Sequence, residues 1–423
     1  MKILIVGGGG REHAIAWKLS KNKNVEKIFI APGNAGVKML PNTEQIKLTN
    51  NVDEYVGFVK KHSVDLTIVG NEELLVAGIV DKFKENGLKI FGPDKRSAIL
   101  EGSKAYSKNF MKKYGIKTPV YEIFDDVEKA KKFLKEYEKF PVVIKASGLA
   151  AGKGVIIAQS LAEALKAADD IMVDEKFGSA GSQIVIEEFL NGIEASILSF
   201  TDSKVIVPLL SAKDHKKIGE KETGLNTGGM GVISPNPYVT DSIFEEFIKE
   251  IMEPTLKGIQ NEGMDFAGVI FFGIMITKKG VYLLEYNMRM GDPETQAVLP
   301  LMENDLLEII NYSFDKRLSE LNIKWKPLHS CCVVGVAGGY PENYRKGNKI
   351  EGIDKINEDD ENIIFIAGAK SGERGEFLTD GGRVINVVGL GKTLEEARKK
   401  AYDLLGRINF EGMYYRKDIG KVN

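Results

Sequence analysis

The sequence has very little cysteine. Only Cys331 and Cys332 carry a thiol among its 423 residues, and they are neighbours. Adjacent strand residues point to opposite faces, so we expect no disulfide between these two. So few cysteines exclude a disulfide-stabilised secreted scaffold and are typical of a protein of the reducing cytoplasm. We therefore expect a cytoplasmic protein.

Long hydrophobic runs and an excess of one charge are also missing. The most apolar stretch, residues 266–284, is interrupted by Lys278 and Lys279, so it falls short of the ~18 residues that predict a membrane helix. Lysine and arginine number 58 against 60 aspartates and glutamates, a net charge of -2. This balance gives no support for a nucleic-acid or membrane-surface partner, and we expect neither.

What is present is a multidomain pattern of α/β and α+β segments. A chain of 423 residues predicts about two to four domains. Strands alternate with helices over residues 1–102, which predicts a doubly wound parallel sheet in an N-terminal domain. Within it, one helix is expected over residues 74–86.

Two further domains are expected after the first. Residues 103–327 form the second, with a small inserted α+β lobe at about 124–194. Residues 328–423 form a C-terminal mixed α/β domain, which closes with a helix over 393–405. Thr393 and Glu396 at the start of that helix fit a capping box.

The glycines at the end of the first strand lie where a phosphate could be held. Gly8, Gly9 and Gly10 separate a strand from a helix, where free N–H groups and the positive end of the helix dipole favour an anion. Glu12 stands where the dinucleotide fingerprint has its third glycine, so nicotinamide or flavin binding is not expected. The alternative is a tight turn without a ligand.

A second glycine-rich loop, residues 148–154, lies between two strands. It fails the Walker A pattern and is more like a flexible hairpin that folds over phosphates. Lys145 ends the apolar run before this loop, and a lysine there needs an anionic partner or a route to water. It therefore either binds an anion such as a triphosphate or extends to solvent at the edge of the sheet.

The end of one strand carries three polar side chains in alternation. Glu285, Asn287 and Arg289 are expected on one face, with Leu284 and Tyr286 on the other. A carboxylate, an amide oxygen and a guanidinium suit a hard cation held against phosphate oxygens. A half-exposed edge strand with a solvated ion pair is the alternative.

Short motifs run through nearly the whole chain. In order they are GGREHA (9–14), APGNAG (31–36), IFGP (90–93), EGSKA (101–105), GLAAGKGV (148–155), IEEFL (186–190), NTGGMG (226–231), EYNMRMGDPETQ (285–296), AGGYP (337–341), TDGGRV (379–384) and RKDIG (416–420). Any one of them is weak evidence. The ordered set resembles the ATP-grasp enzymes, and most closely their glycinamide ribonucleotide synthetase (phosphoribosylamine–glycine ligase) family.

The resemblance implies a fold and a reaction. The central domain would have the ATP-grasp fold, with the small inserted lobe as a lid. The reaction would join glycine to 5-phosphoribosylamine in purine biosynthesis, giving glycinamide ribonucleotide, ADP and phosphate through glycyl phosphate. ATP, Mg²⁺ or Mn²⁺, small-molecule substrates and a monomeric chain are implied. Another ATP-grasp carboxylate–amine ligase with a different acceptor stays open, as does a regulatory nucleotide-binding protein.

The resemblance also implies roles for individual residues. It assigns ATP binding to Lys104, Lys145, Gly152, Lys153, Glu187, Leu190 and Glu194. It assigns the metal to Glu285 and Asn287, and catalysis to Arg289 and Asp292. It assigns the other substrates to Gly8, Gly9, Gly10, Asp214, Asn226, Thr227, Pro293 and Glu294.

This chain departs from the family pattern at two places. Ser147 stands where an aspartate is usual, and residues 70–75 lack two prolines that the family usually has. Both changes lie beside segments that are expected to bind substrates.

Overall fold

The N-terminal sheet is parallel throughout, as the alternation of strands and helices predicted. The computed structural model describes residues 1–150, 153–356, 359 and 361–422. The strands are β1 (Lys2–Gly7), β2 (Lys27–Pro32), β3 (Thr43–Gln45), β4 (Leu66–Val69) and β5 (Ile90–Phe91), in the order β3-β2-β1-β4-β5. The helices are α1 (Gly10–Ser20), α2 (Val52–His62), α3 (Glu72–Ala77), α4 (Ile79–Glu85), α5 (Lys95–Gly102) and α6 (Lys104–Lys113).

The single helix predicted over residues 74–86 is wrong, because two helices cover that segment. Gly78 has a φ of +94°, in the left-handed region that ends helices, and it separates α3 from α4. The first of them begins early because the Asn71 side chain accepts a hydrogen bond from the N–H of Leu74 at 3.0 Å. Asn71 lies in the segment that lacks the two prolines, and it supplies a helix cap there.

The inserted lobe is a four-stranded antiparallel sheet covered by two helices. Its elements are β6 (Tyr121–Phe124), α7 (Val127–Glu136), β7 (Val142–Ala146), β8 (Val155–Ala158), α8 (Leu161–Met172) and β9 (Ile184–Glu188), with the strand order β6-β9-β7-β8. Leu134, Ile144 and Ile171 are among the residues that form its core. Strand β6 at the edge of this sheet is half exposed.

A long sheet follows the lobe. The next elements are β10 (Ile193–Thr201), β11 (Ile206–Asp214), β12 (Lys217–Gly219), β13 (Thr223–Asn226), β14 (Gly231–Ser234), α9 (Asp241–Phe247), α10 (Glu253–Asn261), β15 (Gly268–Thr277), β16 (Gly280–Asn287), α11 (Glu294–Val298) and α12 (Leu306–Phe314). A π-helical turn at Ile248–Met252 joins α9 to α10. Strands β12 and β13 pair with each other as a separate two-stranded ribbon.

The C-terminal strands divide between two sheets: some extend the long sheet, and the others form a small three-stranded sheet of their own. They are β17 (His329–Val336), β18 (Lys349–Ile350), β19 (Asn362–Ile366), β20 (Ala369–Ser371), β21 (Phe377–Thr379) and β22 (Arg383–Gly391), followed by α13 (Leu394–Leu405). The eight-stranded order is β16-β15-β10-β11-β14-β17-β22-β19, so it joins residues of the second and third predicted domains. The domain limits 1–102, 103–327 and 328–423 stay a prediction.

The start of α13 shows half of the predicted capping box. The Thr393 hydroxyl accepts a hydrogen bond from the N–H of Glu396 at 3.2 Å. The Glu396 carboxylate, however, accepts from the N–H of Lys392 at 2.8 Å. Over the ranges that the structure describes, no helix combines the length and the apolar content needed to cross a bilayer.

Candidate active site

A cavity of about 880 Å³ lies between the lobe, the long sheet and the loops of the N-terminal sheet. It brings together residues that are far apart in the chain, from Arg11 to Arg383. The predicted site residues that line it are Lys104, Lys145, Glu187, Leu190, Glu194, Asp214, Asn226, Thr227, Glu285, Asn287, Arg289, Asp292 and Glu294. One cavity therefore holds residues expected for ATP, metal and substrates.

Glu285 and Asn287 both line the cavity at the end of β16, as strand alternation predicted. The strand contains a bulge, because Gly273 pairs with Glu285 while Ile274 pairs with Leu283. Leu284 therefore lies at the cavity wall, and Leu283 joins Tyr286 in the buried core. The prediction that Leu284 shares the side of Tyr286 is wrong for this reason.

Glu285 is surrounded by cations. Burial alone would raise the pKa of its carboxyl, but Lys216, Lys145 and Lys104 outweigh burial and lower that pKa below the usual value. The carboxylate is therefore ionised at neutral pH. The described residues contain no cluster of three or more histidine, cysteine or acidic side chains suited to a metal. An acid–amide oxygen pair is the set that Mg²⁺ uses when phosphates and water complete its shell.

Arg289 is held by two acids from the N-terminal half of the chain. Its Nη2 lies 3.1 Å from Glu101, and its Nε lies 3.6 Å from Glu72. Glu72 is also 3.9 Å from Arg11. Both arginines donate to the carbonyl oxygen of Met290, Arg289 at 3.2 Å and Arg11 at 3.1 Å. The sequence analysis assigned no role to Arg11 or Glu101. Their positions in the GGREHA and EGSKA motifs were the signal that could have identified them as site residues.

Glu187 is buried between two lysines. Its carboxylate is 2.9 Å from Lys145 Nζ and 3.2 Å from Lys108 Nζ. Burial lowers the pKa of Lys108 to about 8, although Glu187 opposes the shift. Lys108 was missed by the sequence analysis because it is one of several lysines along α6, and only its 2% exposure distinguishes it.

Ser147 has a structural function where the family usually has aspartate. Its hydroxyl accepts from the N–H of Ala105 at 3.1 Å, and its carbonyl oxygen accepts from the N–H of Lys104 at 2.7 Å. The Lys104 ammonium donates to the carbonyl oxygen of Gly148 at 3.1 Å. Ser147 thus fixes the start of α6 beside the glycine-rich loop.

Two acids face each other on the far side of the cavity. Burial, and then the neighbouring Glu294, raise the pKa of Asp214. Ser196 donates to Glu294 at 3.1 Å. Lys216 lies 2.9 Å from Glu194, which raises the pKa of the lysine. Lys216 is thus a cavity cation that the sequence analysis left without a role.

Asp292 joins this site to the N-terminal glycine loop. Arg383 lies 3.4 Å from its Oδ1, and Gln296 donates to the same atom at 2.8 Å. A Cβ atom at Gly9 would lie 2.9 Å from Asp292 Oδ2, so the glycine loop and the Asp292 carboxylate are in close contact. The N–H of Gly9 donates to Glu12 at 2.7 Å, so this loop group already has a partner.

Some predicted site residues lie elsewhere. Among the described residues, those outside the cavity lining are Gly8, Gly9, Gly10, Lys153 and Pro293. Pro293 still packs close to the site, because a Cβ atom at Gly229 would lie 2.5 Å from its ring. Gly152 lies outside the described residues.

Three family models match the chain one after another. The phosphoribosylglycinamide synthetase N domain matches residues 1–101, the ATP-grasp (A) domain 102–295 and the C domain 330–422. A phosphoribosylamine–glycine ligase of Fusobacterium nucleatum is 59% identical over 423 residues, which is all of this chain and 99% of that protein.

Solved structures show the same similarity. The crystal structure of a phosphoribosylamine–glycine ligase from Thermotoga maritima matches with a TM-score of 0.84 and 33% identity, over 99% of this chain and 100% of that one. The biotin carboxylase domain of a Hydrogenobacter thermophilus 2-oxoglutarate carboxylase, solved with MgADP and bicarbonate, matches with a TM-score of 0.76. It is 18% identical over 98% of this chain and 91% of its own, which shows a shared fold.

Proposed function

This chain belongs to the phosphoribosylglycinamide synthetase family, and from that membership we propose how its cavity works. It is an ATP-grasp ligase that joins glycine to 5-phosphoribosylamine in purine biosynthesis. One observation supports this most strongly. A single cavity combines cationic lysines, an ionised acid, an amide and a separate pair of acids.

The reaction has two steps. A carboxylate oxygen of glycine attacks the γ-phosphorus of ATP, the bond to ADP breaks, and glycyl phosphate forms. The amine nitrogen of phosphoribosylamine then attacks the carbonyl carbon, phosphate leaves, and the nitrogen releases a proton. Phosphoryl transfer of this kind depends mainly on positioning and charge neutralisation, which the cations of the cavity supply.

We propose that the lysine side of the cavity holds ATP. Lys104 and Lys145 would contact its phosphates, together with Gly152 and Lys153 of the glycine-rich loop. Leu190 and Glu187 would meet adenine, and Glu194 the ribose hydroxyls. Binding of ATP would draw Lys145 away from its pair with Glu187.

Glu285 and Asn287 fit a divalent cation, Mg²⁺ or Mn²⁺. The Glu285 carboxylate stays ionised, and the Asn287 amide oxygen, which accepts a hydrogen bond from Arg289 at 3.3 Å, belongs to the same cavity lining. When bound, the cation would neutralise phosphate charge during transfer. These two oxygens leave room for phosphate and water ligands, as Mg²⁺ requires.

The remaining predicted residues would bind the substrates of the ligation. Arg289, which pairs with Glu101, would stabilise the transferring phosphate. Asp292 would be the second catalytic residue, as the resemblance to the family implies. The other substrate residues would be Asp214, Asn226, Thr227, Pro293 and Glu294, with the Gly8, Gly9 and Gly10 loop on the ribose phosphate side. We also propose that the protein is a cytoplasmic monomer, which size-exclusion chromatography and cell fractionation test.

A coupled ADP assay with phosphoribosylamine generated in place tests this function. We expect ADP release only when glycine and the amine are both present. Turnover with bicarbonate, or with another acid in place of glycine, would favour an ATP-grasp enzyme with a different acceptor. ADP binding without any turnover would favour a regulatory protein.

A further inference from the structure

The RKDIG motif near the C-terminus has no part in the proposed function, yet its arginine is almost fully buried. Arg416 is 1% exposed although it carries a charge. A buried guanidinium persists only when acids and hydrogen-bond acceptors surround it. The partners of Arg416 therefore indicate what the motif holds in place.

Arg416 contacts the ribbon formed by β12 and β13. Its Nη1 donates to the carbonyl oxygen of Lys217 at 3.0 Å, and its Nη2 donates to Glu222 Oε1 at 2.8 Å. Asp418 completes the site, with its two carboxylate oxygens 2.8 Å and 2.9 Å from the guanidinium. One planar group thus joins the tail to the first residue of β12 and to the turn of the ribbon.

The ribbon depends on contacts of this kind. A two-stranded hairpin is only marginally stable alone, and within the described part of the chain these strands pair with no larger sheet. Lys221 and Glu222 at its turn have φ values of +56° and +57°, the left-handed region that costs non-glycine residues energy. Asp418 accepts the N–H of Lys221 at 2.8 Å, and Arg416 holds Glu222. The tail thus contacts both left-handed residues.

The tail itself is fixed to the C-terminal core. Ile419 is fully buried there. Arg398 of α13 donates to the carbonyl oxygens of Ile419 at 2.9 Å and Lys417 at 2.7 Å. The Tyr402 hydroxyl donates to the carbonyl oxygen of Arg416 at 2.6 Å. The tail is therefore fixed to the C-terminal core, and the ribbon is bonded to the tail.

The same ribbon also lines the active-site cavity. Lys217, Glu222 and Asn226 line that cavity, beside Asp214 at the end of β11. We propose that Arg416 is a positioning residue, which holds the ribbon Lys217–Asn226 in place as the wall of the amine-substrate side. This inference rests on the proposed function for the identity of that substrate.

Hydrogen exchange of the full-length enzyme tests the inference without using turnover. Arg416→Lys keeps the charge but loses the planar fork that reaches Lys217, Glu222 and Asp418 together. We expect the ribbon amides to exchange about tenfold faster or more, because their opening becomes easier, while β17 and β22 keep their protection. Unchanged exchange in the ribbon, or faster exchange throughout the C-terminal strands, would overturn the inference.

Arg398→Lys is the matched control. It makes the same substitution in an arginine that holds the same tail, through Ile419 and Lys417. We expect its ribbon exchange to match that of the wild type, because the buried Ile419 and the hydrogen bond from Tyr402 still hold the tail. The same ribbon loosening in both variants would show that general loosening of the tail, not Arg416, is responsible.

Kinetics then link the ribbon to the substrate. For Arg416→Lys we expect kcat/KM for phosphoribosylamine to fall about tenfold or more, with KM for ATP within about twofold of the wild type. An equal change in the kinetic constants for ATP and for phosphoribosylamine, or no change in either, would overturn the assignment to the amine side. If Arg416→Lys does not fold, Glu222→Gln removes the same ion pair at a half-exposed residue and must show both effects.

The two proposals fail in different ways. A wild-type enzyme that released no ADP from glycine, phosphoribosylamine and ATP would refute the proposed function. The exchange experiment would still decide whether Arg416 holds the ribbon.

Discussion

Replacing Lys108 with methionine tests the electrostatics of the lysine side of the cavity. Lys108 is 2% exposed, and its ammonium lies 3.2 Å from Glu187 and 2.6 Å from the Thr118 hydroxyl. Burial lowers its pKa from 10.5 to about 8 in spite of Glu187. The folded protein therefore binds this proton less tightly than the unfolded chain does.

The magnitude follows from the two pKa values. At ~1.4 kcal/mol per pKa unit, the difference corresponds to about 3 kcal/mol. Between pH 8 and 10.5 the unfolded chain keeps a proton that folded Lys108 has released. The free energy of unfolding therefore rises with pH in that window. Lys108→Met lacks this rise, and at pH 7 it is expected to be less stable than the wild type, because the buried Glu187 loses one of its two cations.

Urea unfolding followed by circular dichroism at pH 7.5, 9 and 10.5 measures the effect. We expect the stability of the wild type to gain about 3 kcal/mol relative to Lys108→Met between the first and last pH. A difference that stays constant with pH would refute the buried, destabilised ammonium. Lys18→Met is the control for the loss of a buried lysine. Burial also lowers the pKa of Lys18 to about 8, but this lysine of α1 donates to the carbonyl oxygen of Met302 and not to Glu187.

The same two variants differ at the active site. Without Lys108, the whole charge of Glu187 acts on Lys145 and holds that lysine away from phosphates. We expect KM for ATP to rise by about tenfold in Lys108→Met, and to stay at the wild-type value in Lys18→Met. Equal ATP kinetics in both variants would contradict the proposed use of Lys145.

Three further outcomes test the proposed site. Glu285→Gln is expected to lower turnover about 10²-fold while circular dichroism stays unchanged, because a charge beside the phosphates is lost; wild-type turnover would place the metal elsewhere. Lys145→Ala is expected to weaken ATP binding in calorimetry, and an unchanged affinity would remove this lysine from the nucleotide site. Chelation of divalent cations is expected to stop ADP release until Mg²⁺ is returned, and continued release would contradict metal dependence.

Local patterns predicted much of this fold because they reflect local physics. Alternating strands and helices predicted the parallel N-terminal sheet, since a buried strand and an amphipathic helix each have their own periodicity. The same reasoning was wrong at residues 74–86, where Gly78 takes a left-handed conformation, and at Leu284, where a bulge shifts the alternation. Single-residue backbone changes of this kind leave little trace in hydrophobic periodicity.

The sequence by itself determined the family, because ordered motifs are a property of the chain alone. It also placed Glu285 and Asn287 on one face, since strand alternation needs no partner. Only the tertiary structure decided which charges meet. The pairs of Glu187 with Lys108 and of Arg416 with Glu222 join segments far apart in the chain. Whether a lysine or arginine is solvated or buried beside an acid depends on that packing, and so do its pKa and its function.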